Sequence, residues 1–148
     1  MLRHACLFVL IAAGPIAAAP AEDHWTADPS PAFQEAASLV EKGRYADAAP
    51  LLEELAAAEP GNADVFNLLG FARRKTGDLD RAGAAYARAL RLNPDHLGAI
   101  AYQGELFLKQ DNLEQAEANL ARLVVLCPSG CNPRFDLTVA VAAWKADQ

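Results

Sequence analysis

Methionine occurs once in the 148 residues, at position 1, and cysteine and histidine three times each. So few soft donors argue against a copper-carrier type of metal site. There is no glycine-rich phosphate loop, no Gly-x-Ser-x-Gly, no His-Glu-x-x-His and no calcium loop, which removes the common signatures of phosphoryl transfer, serine hydrolysis and metalloproteolysis. Basic residues are also scarce, 13 against 19 acidic ones for a net charge of −6, and no basic stripe interleaves with aromatics. Such a chain repels nucleic acid. The one basic cluster, Arg73-Arg74-Lys75, is read first as cations placed favourably at a helix C-terminus beside Gly77.

The one apolar run of note, Ala5 to Ala13, follows Arg3 and His4, is broken by Gly14-Pro15 and leads to Ala19-Pro20-Ala21. It falls short of the roughly 20 residues of a spanning helix and reads as a secretory signal over residues 1–21, cleaved near Ala21. Cys6 stands too soon after Arg3 and His4 to become a lipid-modified first residue. The expectation is a periplasmic or secreted protein without stable membrane insertion, opening at Glu22 with a flexible lead-in over 22–28.

What the chain does have is a period of 34 residues. Pro60, Pro94 and Pro128 share one register, as do Ala48, Ala82 and Ala116; Ala36, Gly70 and Gly104; and Leu55, Ala89 and Leu123. A period of this length means stacked supersecondary units, none able to bury its apolar face alone. The prolines end each unit, the small residues let paired helices approach closely, and Asn62 and Asp95 stand where the next helix needs a cap.

In the middle unit Phe66, Leu69 and Gly70 precede a turn at Gly77-Asp78, after which Ala82, Tyr86 and Ala89 lead to Asn93-Pro94. This pattern resembles the tetratricopeptide repeat, with Arg73 where that family prefers tyrosine. The third unit keeps Ile100, Gly104, Phe107, Ala116, Leu120 and Pro128, with Asp111-Asn112 at a turn that tolerates the left-handed conformation. The first is divergent, with Glu35 where a core leucine is expected. The resemblance implies an all-α solenoid of helical hairpins: repeats over 29–62, 63–96 and 97–130, then a capping helix within 131–148. In the cap, roughly Arg134 to Lys145, Phe135, Val139 and Ala142 are expected to cover the open end with Leu137 and Val141 beside them. Arg134, Asp136, Lys145 and Asp147 would face solvent, and Trp144 would pack.

Removing the signal leaves two cysteines, Cys127 and Cys131, in an exported chain, which favours a disulfide across Pro128-Ser129-Gly130. The spacing is neither Cys-x-x-Cys nor followed by the histidine of a haem attachment site; a redox-active pair or a metal site remain as alternatives. A Cys-x-x-Gly-Cys segment after the last repeat also resembles short exported bacterial tetratricopeptide proteins.

No residue pattern points to catalysis or to a cofactor, and His96 reads as a neighbour of a helix start rather than a base. The family resemblance implies a concave groove lined by the first helix of each pair, around residues 31–42, 63–76 and 97–110. Helical spacing then selects Phe33, Ala37 and Val40; Asn67, Phe71, Arg74 and Lys75; and Ala101, Glu105 and Lys109. Phe33 and Phe71 would be apolar anchors, one of them alternatively packing between repeats, and Asn67 would hold an extended backbone. The carboxylate-clamp set of the family is not present. The function expected is therefore a non-catalytic adaptor for a protein or peptide partner in the cell envelope. Alternatives are a thiol redox or metal-handling accessory using Cys127 and Cys131, and a weakly self-associating module meeting a copy through Phe33 and Trp25.

Overall fold

The computed structural model describes residues 29–148; the signal and lead-in expected over 1–28, with Cys6, His24 and Trp25, lie outside the described residues. Seven α-helices make up most of the described chain: α1 (Pro31–Glu41), α2 (Tyr45–Ala58), α3 (Ala63–Lys75), α4 (Leu79–Leu92), α5 (Leu97–Lys109), α6 (Leu113–Leu126) and α7 (Asn132–Ala146). They pack as antiparallel hairpins, α1 on α2, α3 on α4 and α5 on α6, with α7 across the last pair. The fold is an all-α solenoid of helical hairpins.

Side-chain caps start most helices. Ser30 accepts from the Phe33 amide ahead of Pro31, Asn62 from Asp64 and Val65, Asp78 from Arg81, and Asn112 from Gln115. The cap of α5 departs from expectation. It is His96, not Asp95, whose Nδ1 accepts from the Ala99 amide at 3.2 Å. Each hairpin closes through one left-handed residue, Gly43 (φ 73°), Gly77 (φ 89°) and Asp111 (φ 55°). The following amide reaches back in the same way each time, Arg44 to Leu39, Asp78 to Arg73 and Asn112 to Phe107, so the aspartate replaces glycine without changing the turn.

The small residues of the repeat allow close approaches. A Cβ on Gly70 would fall 2.7 Å from the ring of Tyr86 on the partner helix, and one on Gly104 would fall 2.6 Å from Leu137 of α7. Tyr86 and Leu137 are fully buried, so neither has free space to yield. Glu35 is exposed where the repeat pattern would bury leucine. A second periodic device joins the units: Arg88 donates to the Pro60 carbonyl at 2.8 Å and Arg122 to the Pro94 carbonyl at 2.6 Å, both 28 residues back.

The capping helix buries only part of the face expected to turn inward. Leu137 and Val141 are buried and Trp144 packs on the same cluster, whereas Phe135 and Val139 are 68% and 51% exposed and Ala142 is exposed too. The physical reason is Gly104: its missing side chain makes a slot that Leu137 fills, and that contact sets the rotation of α7. Arg134, expected in solvent, is half-buried and donates Nη1 to the carbonyls of Cys127 and Pro128. Cys127 and Cys131 are joined as a disulfide with their Cα atoms 6.1 Å apart, tying the end of α6 to the start of α7.

Candidate peptide-binding groove

Curvature follows from which helices touch. The first helices contact one another along the stack, α1 with α3, α3 with α5 and α5 with α7, whereas α2, α4 and α6 make no such mutual contacts. The stack therefore bends toward the first helices, and their outward sides form the concave surface.

At the middle of that surface lies an aromatic row. Phe71 on α3 meets Tyr45 edge-on at 5.8 Å between centroids and Tyr102 on α5 at 4.7 Å; Tyr102 in turn lies 6.5 Å from Tyr86. Phe71 and Tyr102 are each only half-buried, and the Lys75 ammonium stands 5.2 Å from the Phe71 ring centroid. Burial raises the Tyr102 phenol above its ordinary value, helped by the carboxylates of Glu105 and Asp136, so it remains a neutral hydrogen-bonding group. Asn67 lies one turn before Phe71, beside the backbone of Gly98.

Two of the residues expected to face a partner do not. Arg74 is 4% exposed: Nη1 pairs with Glu105 Oε2 at 2.7 Å, Nε donates to the Tyr86 hydroxyl at 3.3 Å, and the guanidinium stacks over Phe71 and Tyr102 at 5.3 and 5.7 Å. It is the centre of the inter-repeat packing, not a free cation of the groove. The planar guanidinium suits this place because it can stack on two rings while its edges bond a carboxylate and a phenol. Tyr86 is itself buried, which pushes its phenol well up and keeps it protonated as a hydrogen-bonding partner. Ala101 is fully buried, because the close stacking of α5 on its neighbours covers that face.

The other named positions divide between packing and access. Phe33 and Val40 lean on the first core cluster, Ala37 is half-buried, and Lys75 and Lys109 are exposed. A cleft of about 280 Å³ opens where α3, α5 and α7 converge, lined by Arg74, Glu105, Leu108, Lys109, Ala140 and Trp144. The sequence puts Tyr102 on an inner helix but not among the selected contacts, and it gives no reason to place Ala140 or Trp144 on this surface. Tyr102 falls next to Ala101 in the same turn, so a small shift in helix phase decides which of the two is presented. Ala140 and Trp144 join only because α7 folds back on α5.

Across the unit boundary, His96 adds a link. Its Nδ1 is occupied as the α5 cap, so the proton lies on Nε2, which donates to Asp64 Oδ1 at 2.9 Å. This bond, with the imidazole beside the carboxylate, holds Asp64 below its ordinary 3.8 against the opposing effect of burial. Among the described residues no group of three or more His, Cys, Asp or Glu is placed to hold a metal ion, and no helix is long and apolar enough to cross a membrane.

The tetratricopeptide repeat family model matches residues 33–96 and 72–130, and the chain belongs to that family. No curated protein matches it. Among solved structures it is similar to the type III secretion translocator chaperone SycD of Yersinia enterocolitica, with 20% identity, a TM-score of 0.69, and 78% of this chain and 82% of that one covered. SycD with a peptide of the translocator YopD gives 21% identity, a TM-score of 0.66 and coverage of 78% and 91%. The first tetratricopeptide domain of Spaghetti (RPAP3), bound to an HSP90 peptide, gives 19%, 0.67, and 76% and 89%. At these identities the likeness is one of fold.

Proposed function

We propose that this protein is a non-catalytic adaptor of the cell envelope that holds a segment of another exported protein against its concave face. The observation that carries the reading is the half-open Phe71–Tyr102 pair flanked by Lys75, with the apolar cleft of Leu108, Ala140 and Trp144 and exposed Lys109 beside it. An aromatic floor next to a cleft takes an apolar side chain, and lysines of one sign at its margins favour acidic residues in the ligand. SycD and RPAP3, which share the fold, are both known with peptides of other proteins bound, and this supports a peptide as the ligand here. The periplasmic or secreted location rests on the leader-like residues 1–21, with cleavage near Ala21.

Capture from envelope extract tests this. Lys75→Glu with Lys109→Glu, both on exposed side chains, should reduce the captured partner at least about tenfold while the helical circular dichroism stays unchanged. A convex-face control, Arg91→Glu, should retain it. Equal capture by the groove variant and the control would overturn the reading. The cysteine pair is read as a staple between α6 and α7; a thiol redox or metal-handling protein would lose its activity when both become serine, and an adaptor keeps its partner.

A further inference from the structure

All the large apolar side chains that are exposed among the described residues, Val124, Val125, Phe135 and Val139, belong to α6 and α7. A terminal cap normally turns a polar face to solvent. Here the outward side of α7 carries Phe135, Val139, Ala142 and Ala146, spaced i, i+4, i+7 and i+11, so they form one apolar stripe opposite the buried stripe of Leu137, Val141 and Trp144. A helix apolar on both sides is one that is covered on both sides. In a longer array the second helix of a fourth hairpin would lie there.

We propose that the cover is α7 of a second copy of this chain, in a two-fold dimer with the two helices side by side and parallel. The charges beside the stripe select this occupant. Arg134, half-buried with Nη1 held by the carbonyls of Cys127 and Pro128, and exposed Lys145, i and i+11, lie along one edge, and exposed Asp136 and Asp147, again i and i+11, along the other. A two-fold axis parallel to the helices brings the basic edge of one copy against the acidic edge of the other at matching height, Arg134 beside Asp136 of the second copy and Lys145 beside Asp147 of the second copy. An antiparallel pair would bring like edges together and is disfavoured. The surface is thus complementary to itself in charge as well as apolar along its centre, as an isologous contact requires. Lys145 already meets Glu117 at 2.5 Å with both side chains about half exposed, so the added carboxylate extends an existing ion pair at the rim. The contact uses the side of α7 opposite Trp144, and its existence is independent of whether the groove binds a partner.

Sedimentation equilibrium of the protein purified from cells expressing the full chain tests this over the micromolar range. A reversible dimer is expected. Val139→Glu, at an exposed position that leaves the melting temperature of the monomer unchanged, should weaken it about 100-fold, because each dimer would bury two carboxylates at the seam. Ala146→Cys should form a disulfide to the same position of the second copy, identified by peptide mass, because only the parallel arrangement brings the two close. A monomer at all concentrations, a dimer indifferent to Val139→Glu, or a dimer in which Ala146→Cys fails to cross-link would each overturn the proposal, the first leaving the stripe to another partner.

Discussion

Replacing Arg74 with alanine should damage the fold more than any change to the exposed cations around it. The guanidinium is 4% exposed and serves three neighbours: a 2.7 Å ion pair to Glu105, a hydrogen bond to Tyr86, and the faces of Phe71 and Tyr102. Truncation leaves Tyr86, fully buried, without that bond and Glu105 without its cation. Breaking a fully buried pair costs about 3–5 kcal/mol. The Glu105 side chain is 23% exposed and can turn to water, which places the expected loss near the bottom of that range, about 3 kcal/mol. Arg74→Met keeps the stem and most of the ring contact and should cost about 1–2 kcal/mol, and adding Glu105→Leu should recover part of it by removing the orphaned charge. Urea unfolding followed by circular dichroism reads all three variants. Losses below about 0.5 kcal/mol for Arg74→Ala would show that the residue is a surface cation after all.

Gly104→Ala would bring its Cβ to 2.6 Å from Leu137 and should cost about 1–3 kcal/mol by thermal melting; Leu137→Ala makes room, so the pair should be clearly less than additive. His96→Ala removes the cap of α5 and should cost about 1 kcal/mol in urea. Because the folded state holds Asp64 below 3.8, this carboxylate stabilises the fold above its unfolded value and the contribution is lost as pH falls through the lower, folded one. The gap in melting temperature between wild type and Asp64→Asn should accordingly hold down to about pH 5 and close below about pH 4. Cys127→Ser with Cys131→Ser should lower stability by about 2 kcal/mol without changing helix content, since the disulfide closes a short loop.

The hairpins were legible because their constraints repeat. Proline ends, small residues at close approaches and turn residues that accept the left-handed conformation each recur every 34 positions. The same register also holds Arg88 and Arg122, whose bonds to the preceding proline carbonyls are equally periodic, yet two arginines among many carry no signal until the loop carbonyl is seen. The groove was legible only in part. Spacing placed Phe71, Lys75 and Lys109 on the inner helices, but it could not tell Arg74, one position from Lys75, that Tyr86 and Glu105 would enclose it. In the cap both apolar stripes were expected to face inward, because both have helical spacing, yet only that of Leu137 and Val141 does. What decides between them is the slot at Gly104, 33 residues away from Leu137.

Site-specific photo-cross-linking in living cells addresses the groove most directly. A photoreactive residue placed at Lys75 or Lys109 on the concave side, or at Arg91 or Glu54 on the second helices, reports which face a partner touches. Cross-links to one and the same protein from Lys75 and Lys109, absent from Arg91 and Glu54, are the expected result. Partner cross-links from the second helices alone would contradict the adaptor reading of the groove.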